Sequence, residues 1–266
     1  MDELSLRKAL YRFPLGGLRY FEQTRSTNDI ALEWAAAGAP DLALVYAEEQ
    51  TAGRGRGARQ WFTPPGAALA FSLVLRPLPG DDAASTPLIS ALGALAVSEA
   101  LGELGLQPEI KWPNDVLLNR RKVCGILAES VWMGAHLKNV VLGIGLNVLP
   151  ESVPPPEQLN FPATCLQNEQ IASQSPAPTL DRAALLGQIL QALFYWRRLL
   201  SSESFMLAWE KSLAFHGEQV EIRAEGQLPQ TGRLEGLTKD GSLRLTSPDG
   251  QVFSIRFGEV HLRPVV

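Results

Sequence analysis

Gln50-Thr51-Ala52-Gly53-Arg54-Gly55-Arg56-Gly57-Ala58-Arg59-Gln60-Trp61 lies between two apolar runs, Leu42 to Glu48 and Ala67 to Leu75, each with the composition of a strand. The three segments read as a hairpin whose long connection carries function. Arginines alternate with glycines in that connection, although the whole chain has 24 Lys and Arg against 28 Asp and Glu and a net charge of -4. Glycine lets the backbone take positive φ and come close to a ligand, while a guanidinium presents a rigid fork of donors matched to carboxylate or phosphate oxygens. Such a loop suits an anion clamp, loose when empty and ordered when full. Taken alone, the same composition also describes a solvated basic turn between strands, so the segments around it decide.

Two familiar phosphate loops do not account for it. The stretch has no Lys-Ser/Thr ending, and its glycines stand too close together for G-x-x-x-x-G-K-[ST]. Gly143-Ile144-Gly145-Leu146-Asn147-Val148 fails G-x-G-x-x-G, because Val148 stands where a third glycine must let helix and strand approach.

Composition sets the frame. A chain of 266 residues, 45% hydrophobic and 20% charged, has room for one large domain and a small one. The acidic balance argues against broad electrostatic binding to nucleic acid. Two cysteines, Cys124 and Cys165, point to a reducing compartment with thiols acting as small apolar residues. His136, His216 and His261 lie far apart without Cys or carboxylate at ligand spacing, so no protein-built metal site is expected. Met1 to Leu10 mixes acids and bases without an apolar core, unlike a secretory signal, and no run approaches the ~20 apolar residues of a membrane span. The expected location is the cytoplasm, with no membrane contact.

Along the chain, Arg19 to Gln23 reads as a strand. Ser26-Thr27-Asn28-Asp29 supplies N-cap residue types before the helix formers Ile30 to Ala37, closed by Gly38 and Pro40. The same hydroxyls and amide at a helix N-terminus can instead serve a small ligand's polar head. Leu88 to Leu104 has helical spacing, ending at Gly105. Ile110 to Leu118 reads as a strand broken by Trp112-Pro113-Asn114-Asp115 and then resumed. Lys122 to Glu129 and Val140 to Val148 are further strands, the first opened by a lysine whose amine can point into a pocket. Gly143 and Gly145 share one face, where missing side chains leave either a slot for something flat or room for a helix to pack closely. Glu151 to Pro178 is expected to be a long irregular loop, Asp181 to Leu200 an amphipathic helix, and Ser204 to Leu213 another helical piece. Beyond Gly217, short strands divided by turns at Gly226, Lys239-Asp240-Gly241 and Pro248-Asp249-Gly250 predict a small antiparallel barrel of about 50 residues.

Four of these signatures, in order, resemble biotin protein ligase: Ser26-Thr27-Asn28; Gln50 with Gly53-Arg54-Gly55-Arg56 and Trp61; Lys111-Trp112-Pro113-Asn114-Asp115; and Lys122-Val123-Cys124-Gly125-Ile126-Leu127 followed by Gly143-Ile144-Gly145-Leu146-Asn147. The resemblance runs from about Leu18 to the end. It implies an α+β fold: a class II synthetase-like mixed sheet with helices over residues 1–214, and a small C-terminal SH3-like β-barrel over 215–266. The implied activity is ATP- and Mg²⁺-dependent formation of biotinyl-5′-AMP, followed by transfer of biotin to a lysine of a biotin carboxyl carrier domain. Lys122 and Arg56 are the implied catalytic residues. Ser26, Thr27, Asn28, Gln50, Arg54, Gly55, Arg56, Lys122, Gly125, Gly143 and Gly145 are implied in substrate binding, with Arg54, Arg56, Trp61, Asn114, Lys122 and Asn147 at the nucleotide. Trp61 equally suits core packing.

Two departures from the family pattern stand out. Many members begin with a DNA-binding winged helix-turn-helix, whereas about 17 residues precede the first strand here, so the expectation is a ligase-only form that binds no DNA and is a monomer or homodimer. Gly57 and Ala58 also stand where the loop usually carries another arginine and a glycine. Two other readings compete: a lipoate protein ligase using the same chemistry with an elongated apolar tunnel, and a biotin-responsive regulatory protein without turnover.

Overall fold

The computed structural model describes residues 1–57, 59–77, 86–134, 136–173, 180–224, 228–256 and 260–264. Its larger part is a seven-stranded mixed sheet. The strands are β1 (Gly17–Thr24), β2 (Ala43–Gln50), β3 (Ala68–Leu75), β4 (Pro108–Lys111), β5 (Asp115–Leu118), β6 (Arg121–Met133) and β7 (His136–Asn147), arranged β1-β2-β3-β7-β6-β5-β4. Only β1 and β2 pair in parallel, and α2 (Thr27–Ala36) makes the crossover that parallel neighbours require. β2 and β3 pair antiparallel, as the hairpin reading expects.

Alternation along the central strands separates two cores. Ala43, Val45, Val74 and Val141 pack beneath Ala31 and Ala35 of α2. Leu44, Tyr46, Leu73, Leu75 and Leu142 face the opposite way, toward α3 (Thr86–Glu103) and α5 (Arg182–Arg198). With both faces covered, β3 is buried at every position and reads as an unbroken apolar run. Helix α3 lies so close to the sheet that a Cβ on Gly93 would stand 3.0 Å from Ile126 and 3.2 Å from Leu142. On α5, Asp181 caps the first turn by accepting from the Ala183 and Ala184 amides, and Leu185, Leu186, Ile189, Leu190 and Leu193 are buried.

Three elements differ from the sequence expectation. Residues 3–10 form a helix, α1 (Glu3–Leu10), capped by Asp2 and anchored by buried Leu6 and Leu10; two apolar positions one turn apart are too few to outweigh its charges in a periodicity reading. Ile110 to Leu118 is not one interrupted strand. β4 and β5 are antiparallel arms of a hairpin, and the Trp112–Pro113 peptide in its turn is cis. Within the expected irregular loop, Leu166–Ala172 forms a short helix, α4, because Leu166 is buried and Glu169 is held inside by Arg121 at 2.6 Å, Asn119 at 2.6 Å and Thr164 at 2.5 Å. Residues 174–179 of that loop lie outside the described residues.

After α6 (Glu203–Lys211), five antiparallel strands form the small second sheet. These are β8 (Gln219–Ala224), β9 (Gln230–Leu237), β10 (Leu243–Thr246), β11 (Val252–Ile255) and β12 (Val260–Pro264), in the order β11-β10-β9-β8-β12. The expected turn at Gly226 lies outside the described residues. The β9–β10 turn leans on the larger part: the Trp112 indole donates to the Gly241 carbonyl at 3.1 Å, and the Leu237 amide donates to Glu210 at 2.7 Å. Gly241 takes φ +79, and a Cβ there would stand 2.6 Å from the Trp209 ring. Among the described residues, no helix is long and apolar enough to cross a membrane.

Candidate active site

A cavity of about 780 Å³ opens on the α2 side of the sheet, beyond that helix's N-terminus. Every residue expected to bind substrate or nucleotide lines it, from Ser26 at the N-cap of α2 to Asn147 at the end of β7. The roles their side chains play in the structure differ from one to the next.

One end is a knot of polar groups. The Thr27 amide and hydroxyl donate to the Gln50 side-chain carbonyl at 2.8 and 3.2 Å, and the Gln50 amide donates to Thr63 at 3.0 Å. The Ser72 hydroxyl donates its one proton to the Asn28 side-chain carbonyl at 2.5 Å and lies 2.8 Å from the Thr27 hydroxyl. Ser26 occupies the N-cap position with extended backbone, yet its side chain makes no cap hydrogen bond. That hydroxyl is not spent on the helix, contrary to the plain-cap reading.

The floor is made by glycines. Gly125 and Gly145 are cross-strand partners, so their missing side chains leave one continuous flat area. The Trp61 indole fills it: a Cβ on Gly145 would stand 2.3 Å from Nε1, and one on Gly125 2.9 Å from the ring edge. Gly143 serves the other purpose considered for it. A Cβ there would stand 2.1 Å from the Asn28 side-chain oxygen, so the start of α2 is what requires that glycine. The Trp61 Nε1 proton is buried and has no hydrogen-bond partner among the described residues. Buried indole donors ordinarily find one.

Cations gather at the opposite end. Strict alternation along β6 would place Lys122 with Cys124 and Ile126, facing the core. A register shift prevents this: Val116 pairs with Cys124 and Leu117 with Lys122, leaving Val123 as an extra residue. Such a bulge re-aims the side chain beside it. The Lys122 amine consequently lies on the cavity side, 3.3 Å from a Cβ position on Gly125 and 5.4 Å from the centre of a Trp61 ring. Its backbone is fixed by a parallel bridge to Ala163, with the Lys122 amide donating to Pro162 at 2.7 Å and the Thr164 amide to Lys122 at 2.9 Å.

Asp115 pairs with Lys122 at 2.6 Å and with Lys111 at 3.5 Å. Burial alone would raise its carboxyl, but the two ammonium groups more than offset this and hold it below the usual carboxylate range. Burial also pushes Lys111 below the ordinary lysine range, against the pull of Asp115. Lys111 lies 4.5 Å from the Phe161 ring centre. The thiol of Cys124, on the far side of β6, is pushed up by burial, and both cysteines are free and buried; neither joins the site chemistry.

The arginine loop folds back on itself. Trp61 donates to the Gly53 carbonyl at 2.8 Å, Gly55 to the Arg59 carbonyl at 2.7 Å, and Arg54 bridges to Gln60. Gly53 is required there, since a Cβ would stand 2.4 Å from the Trp61 carbonyl; Gly57 takes φ +61. Arg56 donates to the Asn114 side-chain oxygen at 3.3 Å, and the Asn114 side-chain amide in turn donates to the Ile126 carbonyl at 2.7 Å. Arg54 is engaged differently, with both prongs on Glu129 at 2.8 and 2.7 Å and Asp29 at 2.8 Å. Asn147 donates its amide to the Thr164 carbonyl at 3.0 Å.

Sequence reasoning assigned no role to Asp115, Glu129 or Lys111. It also left residues 151–163 without a purpose, although Ser152, Pro154, Leu159, Phe161 and Ala163 form the third wall of the cavity. Asp115 was within reach, being quoted in the Lys111 to Asp115 motif. Glu129 carried no signal, because its partner Arg54 is 75 residues away.

Comparison with known proteins bears on this arrangement directly. Residues 20–147 match the model of the biotin/lipoate A/B protein ligase family. The biotin--[acetyl-CoA-carboxylase] ligase of Paracoccus denitrificans is 38% identical over 245 residues, covering 86% of this chain and 94% of that protein. A bifunctional ligase/repressor of Bacillus subtilis is 35% identical over 240 residues, covering 88% of this chain and 70% of that one. Among solved structures, the biotin protein ligase of Aquifex aeolicus in complex with biotin and ATP aligns with a TM-score of 0.78 at 29% identity, over 94% of this chain and 99% of that one.

Proposed function

We propose, from the premise that the chain belongs to the biotin/lipoate A/B protein ligase family, that it is a biotin protein ligase: it joins biotin to ATP as biotinyl-5′-AMP and passes the biotinyl group to a carrier lysine. One observation supports this reading most strongly. A single cavity joins a flat glycine floor with a polar far end to a cluster of cations, matching the flat ureido bicycle and the carboxylate of one small molecule.

In the first step a carboxylate oxygen of biotin attacks the α-phosphorus of ATP, and pyrophosphate leaves. Both reactants are anions, so positive charge must stand between them. Lys122 and Arg56 supply it: the lysine is re-aimed onto the cavity side by the β6 bulge, and the arginine sits across the cleft on the loop. Asp115 holds the Lys122 amine in place, while Ser26, Thr27 and Gln50 take the ureido group at the polar end. In the second step a carrier lysine amine attacks the acyl carbon, loses a proton and releases AMP. The loop and the 151–163 wall keep water from the acyl phosphate until then.

In this reading Asn114 faces the nucleotide, and Trp61 covers the base only after biotin has moved its indole off the glycine floor, while Asn147 supports that wall through Thr164. Mg²⁺ belongs to the MgATP substrate. Among the described residues no group of three His, Cys, Asp or Glu can hold a cation, and Asp115 is already taken up by two lysines. The natural partner is a biotin carboxyl carrier domain such as that of acetyl-CoA carboxylase. Residues 1–214 act as the catalytic part, with 215–266 as the SH3-like part that braces the Trp112 hairpin.

Mass analysis of a carrier domain after incubation with the chain, biotin and MgATP tests this. One biotinyl group on one lysine is expected, and an unmodified carrier would overturn the reading.

A further inference from the structure

The loop's first arginine does not face the anion end of the cavity. Arg54 spends both prongs of its guanidinium on Glu129 and shares one with Asp29, so two carboxylates neutralise it. The Glu129 oxygen that takes the 2.7 Å prong also accepts the Asn28 side-chain amide at 2.8 Å. The Asn28 side-chain carbonyl accepts from Ser72, whose hydroxyl stands 2.8 Å from that of Thr27, and the Thr27 amide donates to Gln50. One continuous chain of polar contacts thus runs from the polar end of the cavity through Glu129 to the root of the arginine loop. The root is narrow as well as anchored: Arg54 bridges to Gln60, and a Cβ on Gly53 would collide with the Trp61 carbonyl.

We propose that Glu129 is a positioning residue for the ligase reaction, fixing Arg54 at the loop root and Asn28 in the substrate slot with one carboxylate, so that the loop closes over the acyl-adenylate only from a correctly seated base. The inference rests on the biotin ligase reading. It gives Arg54 the part of a pivot, leaving phosphate contact to Arg56 and Lys122 farther along the cleft. Bidentate Arg–carboxylate pairing is the geometry that fixes orientation as well as position, which a pivot needs and a diffuse surface pair does not supply. Asp29 reinforces it from the first turn of α2, where a negative charge is also favoured by the helix dipole.

The test uses the full chain and reads escape of biotinyl-5′-AMP, scored as biotin appearing on bystander proteins or in the filtrate. Glu129→Gln keeps the side chain's size and removes its charge. It should raise escape about tenfold, the effect of losing one charge-assisted hydrogen bond, while pyrophosphate release at saturating biotin and ATP stays within about threefold of the parent. Arg54→Lys, which keeps the charge but loses the fork, should also raise escape per turnover whatever it does to the rate of pyrophosphate release, so the idea stays testable if one variant fails to fold. The double variant should leak no more than either single one, because the two residues act as a unit. A merely structural role would lower the melting temperature without raising escape per turnover. Parental retention in both variants, or leaks that multiply, would overturn the proposal. Absence of biotin-dependent pyrophosphate release by the parent would instead overturn the ligase reading itself.

Discussion

The Trp61 indole lies on Gly145, its Nε1 2.3 Å from where a Cβ on that glycine would stand, and it covers the cross-strand partner Gly125 as well. The protein thus places its own flat bicycle on the floor that a flat substrate needs. Its Nε1 proton has no partner among the described residues, so the indole gains no hydrogen bond from this seat. A ligand that uses the floor and the polar end competes with the indole for the same seat.

Biotin is therefore expected to expel Trp61 from the slot. Tryptophan emission should shift to the red and become more accessible to acrylamide on biotin addition. The change should be absent from Trp61→Phe, which isolates this indole from the other five tryptophans of the chain. Identical spectral changes in parent and variant would mean that Trp61 stays seated and biotin binds elsewhere.

Substitutions at the two β7 glycines should separate binding from folding. Gly145→Ala puts a methyl into the floor, where the mobile ring can move away but biotin cannot, so affinity should drop about tenfold or more at nearly parental stability. Gly143→Ala meets Asn28 at the start of a packed helix and should cost about 1–3 kcal/mol in stability, as overpacking does. Calorimetric binding together with thermal melts would show either pattern; equal behaviour of the two variants would contradict the assignment.

Lys122→Ala should slow adenylate formation by about 10²–10³, the usual loss when one preorganised donor to developing charge is removed. Asp115 keeps Lys111 as a partner at 3.5 Å, so the variant should stay folded. Single-turnover formation of biotinyl-5′-AMP is the measurement, and a rate within a few-fold of the parent would remove Lys122 from the chemistry.

Asp115 gives a prediction with a defined pH window. Its carboxyl sits below the ordinary range, held there by Lys122 and Lys111 against burial, so ionisation favours the folded state. That stabilisation is complete above the ordinary carboxylate value near ~4 and is lost as pH falls through the lower folded value. Asp115→Asn should cost about 3 kcal/mol at neutral pH by leaving two lysines beside an uncharged amide. The gap in melting temperature between parent and variant should narrow below about pH 4; a gap independent of pH would assign the loss to packing instead.

Much of the fold and site was legible because short motifs and local periodicity carried it. Apolar runs gave the central strands, the Asp181 cap marked the start of α5, and four motifs brought every expected residue to one cavity. What stayed hidden depends on contacts remote in sequence. The pairing of Arg54 with Glu129 spans 75 residues, and the bulge that turns Lys122 into the cleft exists only through register with β5. Helix α4 is fixed by a buried carboxylate whose partners Asn119 and Arg121 lie 50 and 48 residues upstream, so its polar composition looked like a loop. The seat of Trp61 also follows from tertiary packing, because both glycines beneath it come from other strands.

Pyrophosphate release from MgATP by the purified chain, measured with biotin, with lipoate and with neither, tests the central claim most directly. Release that requires biotin is the predicted result. Release driven by lipoate would keep the two-step chemistry and contradict the substrate, and no release with either acid would contradict the enzyme.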